Sequence, residues 1–202
     1  MRKRAANILM IVGVVFVAAA LSLFAYNNYD SARAQRAADK ALNSIISGLN
    51  TKKNDITDDI KIIDGEKIID GTMTTKNIDG YDYIGYLDFP SLSVSLPVMA
   101  QLDSERLSIS PCLYYGSYKT DNMIIAAHNY SSFFGCLFDL DVGDTVVFND
   151  MEDNRIVYTV AELEQLQPAD VKKMSDTDYS LTLFTCTRGA LARIAVRCER
   201  AV

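Results

Sequence analysis

Residues 5–26 form an apolar run without a single charge, in which Asn7 and Ser22 are the only clearly polar side chains. About 20 apolar residues carry a helix across a bilayer, so the pattern predicts an N-terminal transmembrane helix. Small residues at 18–20 and at Ala32 and Ala34 permit a second reading, a cleaved signal peptide. The run is longer than a usual signal-peptide core and continues past the alanine triplet, which favours an uncleaved anchor. Residues 27–49 are alanine-rich, with Leu42, Ile45, Ile46 and Leu49 at three- and four-residue steps. That period predicts a helical juxtamembrane stalk. Residues 51–80 turn polar, with turn signals at Asp58, Asp64, Asp70 and Asp79 and Ile-Ile-Asp-Gly twice. They read as a linker, with at most a weak hairpin.

From Tyr81 the period shortens. Strand-like runs are predicted at 83–89, 94–98, 123–127, 145–149, 155–161, 181–185 and 192–198, and short helices at 134–140 and 169–174. Short strands at this spacing predict a mainly β domain, an antiparallel barrel or a sandwich. The chain therefore divides into a basic end and membrane anchor (1–26), an extracytoplasmic stalk and linker (27–80), and one catalytic-sized domain (81–202).

Charge sets the compartment. Arg2, Lys3 and Arg4 precede the apolar run, which places the N-terminus in the cytoplasm and all that follows outside. A net charge of -6 over 202 residues argues against a nucleic-acid partner. Four cysteines (Cys112, Cys136, Cys186, Cys198) in an exported chain allow several disulfide pairings. At most one bridge is expected, with Cys186 free.

The chemistry concentrates near the C-terminus. Leu181-Thr-Leu-Phe-Thr-Cys186 and Ala192-Arg-Ile-Ala-Val-Arg-Cys198 flank a short polar turn, the pattern of a β-hairpin. Cys186 ends one strand and Arg193 starts the next. Alternation puts Arg193, Ala195 and Arg197 on one face, and Ile194, Val196 and Cys198 on the face expected to meet the core. A strand-end thiol opposite an arginine is accessible and electropositive, the setting of a reactive thiolate. His128 is the only histidine. It ends an apolar strand before the polar turn Asn129-Tyr-Ser-Ser132, well placed for a site at a barrel rim. Taken singly, each of the three has a plainer reading: a buried thiol, a solvated arginine, a loop histidine.

Together the motifs resemble the sortase family. Thr182-Leu-Phe-Thr-Cys186 is similar to its TLxTC signature. Ala127-His-Asn129, with Phe133-Phe-Gly135, Leu137, Leu140 and Gly143-Asp144, resembles the segment that bears the family's histidine. Arg193-Ile-Ala-Val196 resembles its arginine-led last strand. Gly85-Tyr-Leu-Asp-Phe-Pro90 through Leu96-Pro-Val98 resembles its opening strands. The order along the chain agrees, and the one departure is Ala127, where many members have glycine. The resemblance implies an eight-stranded β-barrel with short helices, preceded here by the transmembrane helix and stalk. It implies a cysteine transpeptidase that cleaves an LPXTG-like C-terminal sorting signal of exported proteins and passes the acyl group to an amine of a cell-wall precursor or pilin. Cys186 would be the nucleophile, His128 the acid/base, and Arg193 the oxyanion stabiliser, with Thr185 orienting substrate or arginine. No cofactor or metal is implied; Glu162, Glu164 and Asp170, acidic and near the expected groove, leave calcium binding open beside the plainer reading of a solvated loop.

The 162–180 segment is too short for the long helix of class B members, so a compact wall-anchoring type is expected. Arg188 and Arg197 are expected to be surface charges of little consequence, and a chain beginning near Thr51 to remain soluble and active. Two rivals stay open. One is another extracytoplasmic cysteine enzyme acting on peptidoglycan peptides, which would not need Arg193. The other is a non-enzymatic anchored binding module, with Cys186 inert.

Overall fold

The computed structural model describes residues 2–55, 71–175, 178–187 and 189–201; the expected turns at Asp58, Asp64 and Asp70, and Arg188, lie outside them. Nine strands form one sheet: β1 (Lys76–Ile78), β2 (Tyr81–Phe89), β3 (Val94–Met99), β4 (Cys112–Tyr115), β5 (Met123–Ala126), β6 (Thr145–Asp150), β7 (Arg155–Leu166), β8 (Leu181–Cys186) and β9 (Arg193–Arg200). Their order is β1-β2-β3-β4-β5-β8-β9-β7-β6, and a further β2–β6 pairing closes it. Eight strands, β2 to β9, thus make a closed barrel, and β1 extends the edge of β2. Closure leaves those eight without a free edge.

Gly85 makes the closure sterically feasible. At this residue the β2–β3 register shifts, and the β2–β6 ladder begins with Gly85 opposite Asp150. Its φ is +151°, and a Cβ there would come 2.1 Å from the Asn149 carbonyl oxygen. Only glycine lets β6 approach so closely at that backbone angle.

Inside the barrel sit Leu87, Val98, Ile125, Phe148, Leu183 and Val196, all but sealed from solvent. β5 (Met-Ile-Ile-Ala) is buried at every position, which is why it reads as an unbroken apolar run rather than an alternating one. Two strands have no counterpart in the sequence reading, β1 and β4. Both are short, and neither alternates.

Among the described residues three helices accompany the barrel: α1 (Arg2–Asp55), α2 (Ser104–Leu107) and α3 (Val171–Ser175), with 3-10 turns at Pro90–Leu92 and Phe134–Asp139. α1 is continuous, and its N-terminal part is long and apolar enough to cross a membrane. Its second half is not a bare stalk. Ala34, Ala38, Ala41, Ile45 and Leu49, spaced four, three, four and four residues apart, are buried against the barrel. Ile45 and Leu49 join Tyr83, Met99 and Cys112 in one apolar cluster. The helix therefore covers barrel surface that removal of residues 1–50 would expose.

Two substitutions test these constraints. Ile45→Asp places a charge in a site that is 0% exposed; with the loss of a buried isoleucine this should cost at least about 2 kcal/mol. Gly85→Ala should cost at least about 1 kcal/mol. Both are read by denaturant unfolding of the folded protein, and an unchanged midpoint for either would contradict the packing described.

Candidate active site

The site is built from three neighbouring strands. β8 pairs with β9 antiparallel, and the ladder's last pair is Cys186 opposite Arg193. β5 pairs with β8 in parallel, with Ala126 opposite Phe184. Beyond that pair the alignment continues: the Ala127 N–H donates to the Phe184 carbonyl at 3.3 Å, and the Thr185 hydroxyl donates to the Ala127 carbonyl at 2.8 Å. β5 ends at Ala126; the same register carried two residues further would bring His128 level with Cys186. Adjacent strands lie about 4.8 Å apart, so Cys186 and Arg193 stand side by side, and the strand that leads into His128 is the next one over.

All three share the outer face of the barrel. The interior is taken by the alternate set, Ala127, Leu181, Leu183, Val196 and Cys198. Cys186 is exposed, while His128 and Arg193 are half-buried. The turn between Cys186 and Arg193 is held by Thr187. Its N–H donates to the Ala192 carbonyl (2.8 Å), and its hydroxyl accepts from the Ala192 N–H (3.0 Å). Thr187 opens the polar turn expected between the two strands, and its hydroxyl is what closes it.

Local aromatic packing shapes the surroundings. The Arg193 guanidinium lies 5.8 Å from the Phe184 ring centroid, within cation–π range, and the Tyr114 ring meets Phe184 edge-on at 5.3 Å. The His128 ring stacks on Tyr130 at 5.1 Å, and Tyr130 in turn stacks on Phe133. The loop that follows His128 is tightly folded. The Phe134 N–H donates to the His128 carbonyl, and the Gly135 N–H to the Tyr130 carbonyl. A Cβ on Gly135 would sit 2.5 Å from that Tyr130 oxygen, so glycine is required for the turn.

The four thiols fall into two groups. All are free of disulfides. Cys112, Cys136 and Cys198 are buried, and burial pushes each of their pKa values up to about 12, because a thiolate is disfavoured away from water. Cys186 alone is exposed. Thr185, expected to orient substrate or arginine, is 1% exposed; its hydroxyl is engaged with Ala127.

Arg197 departs from expectation. It shares the outer face with Arg193 but is 1% exposed. Its guanidinium donates to the carbonyls of Lys173 (2.7 Å) and Met174 (3.1 Å), to the Thr182 hydroxyl (3.0 Å) and to Glu164 (3.1 Å). The reason is a second layer: α3 and the β7–β8 connection fold over this face, where Met174 packs with Leu166, Ala195 and Phe184. Both faces of β9 are therefore buried around Arg197, and the arginine ties the covering segment down. Glu164, read as part of a solvated acidic loop, is its ion-pair partner.

A closed eight-stranded barrel with an exposed cysteine at the end of one strand, opposite an arginine, defines a narrow class of protein. The family model for the sortase domain matches residues 87–201, more than half of the chain. Among solved structures, the chain is similar to sortase C1 from Streptococcus suis, with 25% identity, 59% of this chain and 73% of that chain covered, and a TM-score of 0.51. It also shares the fold of sortase C1 from Streptococcus agalactiae (24% identity, 62% and 71% covered, TM-score 0.52) and of sortase C from Clostridium perfringens SM101 (21% identity, 81% and 91% covered, TM-score 0.50). No curated protein matches it. The chain belongs to the sortase family, whose members are cysteine transpeptidases.

Arg197 gives the site its own prediction. Arg197→Ala would strand the Thr182 hydroxyl and two carbonyls, so it should lower stability by at least about 2 kcal/mol. Arg193→Ala, from a half-buried position with a single ring contact, should change stability by less than about 1 kcal/mol. Thermal unfolding of the two variants decides; the reverse order would mean that the covering segment is not held as described.

Proposed function

We propose that this chain is a membrane-anchored, extracytoplasmic sortase that cleaves an LPXTG-like sorting signal and transfers the acyl group to an amine. The observation that carries this reading is the exposed Cys186 paired with Arg193 at the end of the β8–β9 ladder, beside the strand that leads into His128. Residues 5–26 hold the enzyme in the membrane, with the barrel outside. The substrate is an exported protein with a C-terminal sorting signal. The acceptor is an amine of a cell-wall precursor or of a pilin.

Each residue has a distinct part. The Cys186 thiolate attacks the scissile carbonyl carbon, forming a C–S bond and a tetrahedral oxyanion. The Arg193 guanidinium, always charged, stabilises that oxyanion. As the C–N bond breaks, His128 gives its proton to the leaving amine. The acyl group now rests on Cys186 as a thioester. An incoming amine attacks it, His128 takes the amine's proton, and the C–S bond breaks to return the thiolate. Thr185 serves substrate binding indirectly, by holding the Ala127 carbonyl and with it the peptide that leads into His128.

Turnover of a fluorogenic sorting peptide, with and without an amine acceptor, tests the assignment. Cys186→Ala should abolish cleavage, whereas Ala at Cys112, Cys136 or Cys198 should leave it intact. Arg193→Ala should lose about 100- to 1000-fold, the usual cost of one oxyanion donor, and Arg193→Lys should regain only part. Residual cleavage by Cys186→Ala would overturn the mechanism. Full activity in Arg193→Ala would favour an enzyme that needs only cysteine and histidine, acting on peptidoglycan peptides.

A further inference from the structure

We propose that the catalytic end of the barrel rests against the outer headgroup layer of the membrane in which α1 is anchored. The inference rests on the reading of residues 5–26 as the bilayer span. It adds which end of the barrel faces the lipid, and how near.

α1 serves as a ruler, because it is one helix from the span to Asp55 and rises about 1.5 Å per residue. Ser31, five residues past Tyr26 and so about 8 Å further along, has its hydroxyl 3.4 Å from that of Ser132, in the loop that follows His128. Gln35, Ala38, Asp39 and Leu42 line a cleft with Ser93–Leu96 at the start of β3, and with Ser131 and Ser132. The direct contacts of the opposite barrel end come later along the helix, although Arg33, Ala34 and Ala37 already line a cleft with Asp79, Tyr81 and Glu105. Lys40 pairs with Asp79 before β2, Lys76 of β1 donates to the Ser44 carbonyl, and Gly48 and Leu49 meet Thr74 and Met151 beyond β6. Those contacts lie about 20 to 35 Å past Tyr26.

The near end is the catalytic end. β8 finishes there, at Cys186, β5 finishes two residues before His128, and β9 begins there, at Arg193. The headgroup layer of one leaflet is about 5 to 8 Å deep, so the Ser31–Ser132 contact falls at its outer edge. The surface at this end suits a shallow lipid contact. Phe138, Val142 and Leu191 are exposed apolar side chains on its loops, 43%, 64% and 81% accessible. Asp139, Asp141 and Asp144 stand among them, and carboxylates would oppose any insertion below the headgroups. Substrates would then reach the site along the membrane surface, as a sorting signal or amine donor still held by lipid would.

The chain contains no tryptophan, so single tryptophans report depth without interference. Full-length protein carrying Val142→Trp, Leu191→Trp or Tyr115→Trp would be placed in phosphatidylcholine vesicles brominated near the headgroup end of the acyl chains. Tyr115 marks the far end of β4. Val142→Trp and Leu191→Trp should lose most of their emission, and Tyr115→Trp should keep its own. A seven-residue helical insertion after Tyr26 lifts the barrel by about 10 Å at nearly the same helical phase, and should abolish the quenching while cleavage of a water-soluble sorting peptide continues. Equal quenching at the two ends, no quenching at Val142 and Leu191, or quenching that survives the insertion would overturn the proposed orientation. The fluorescence needs no turnover, so a failed catalytic assignment would leave it unaffected. A chain that does not enter the vesicles would overturn both the anchor and the orientation.

Discussion

The hydrogen bond from Thr185 to the Ala127 carbonyl is the constraint on which the site depends. β5 and β8 are parallel, and their ladder ends at Ala126 opposite Phe184. A chain leaving a sheet would be free to swing away at that point. The buried hydroxyl holds Ala127 in register for one more residue, which directs the chain into His128 along the side of β8 that ends in Cys186. On the other side of Cys186, Thr187 closes the hairpin that sets Arg193 opposite. Two threonines, one on each side of the thiol, thus fix the backbone before His128 and the hairpin that carries Arg193, which sequence separates from Cys186 by 58 and 7 positions.

Exposure decides which thiol can react. Three cysteines are shut in apolar surroundings, where burial holds them protonated far above neutral pH. Cys186 stands at the strand's end, beyond the cover that α3 lays over the same face. That cover depends on Arg197, a buried cation satisfied by two carbonyls, one hydroxyl and one carboxylate. A charge so deeply placed is tolerated only with such partners. Arg193 and Arg197 have the same parity on one strand. One is left open to the site, and the other is spent on holding the roof.

The barrel and the helix are also interdependent. α1 presents small residues, Ala34, Ala38 and Ala41, where the helix must come close, and larger ones, Ile45 and Leu49, where the apolar cluster is deeper. One rigid helix therefore carries both the apolar span and a face of the folded domain, which ties the domain's orientation to that of the helix.

Much of this was legible in the residues. Apolar period gave seven of the nine strands, because a strand buried on one or both faces leaves a period-two or unbroken apolar trace. Of the four short helical segments among the described residues, the sequence reading gave those at 134–139 and 171–175 and missed α2 and the turn at Pro90–Leu92. The Thr-Leu-Phe-Thr-Cys run, the only histidine and an arginine seven residues past the cysteine were visible as a set, since strand ends and turns mark themselves by composition. β1 and β4 were not visible: three or four residues carry too little period to stand out, and their place comes from pairing with β2 and β5. The packing of α1 was hidden because alanine at three- and four-residue steps reads as helix propensity, not as an interface. Arg197 was read as a surface charge for the same kind of reason. Its partners come from β7, β8 and α3, and only the folded chain brings such distant polar groups together to make burial of a cation affordable.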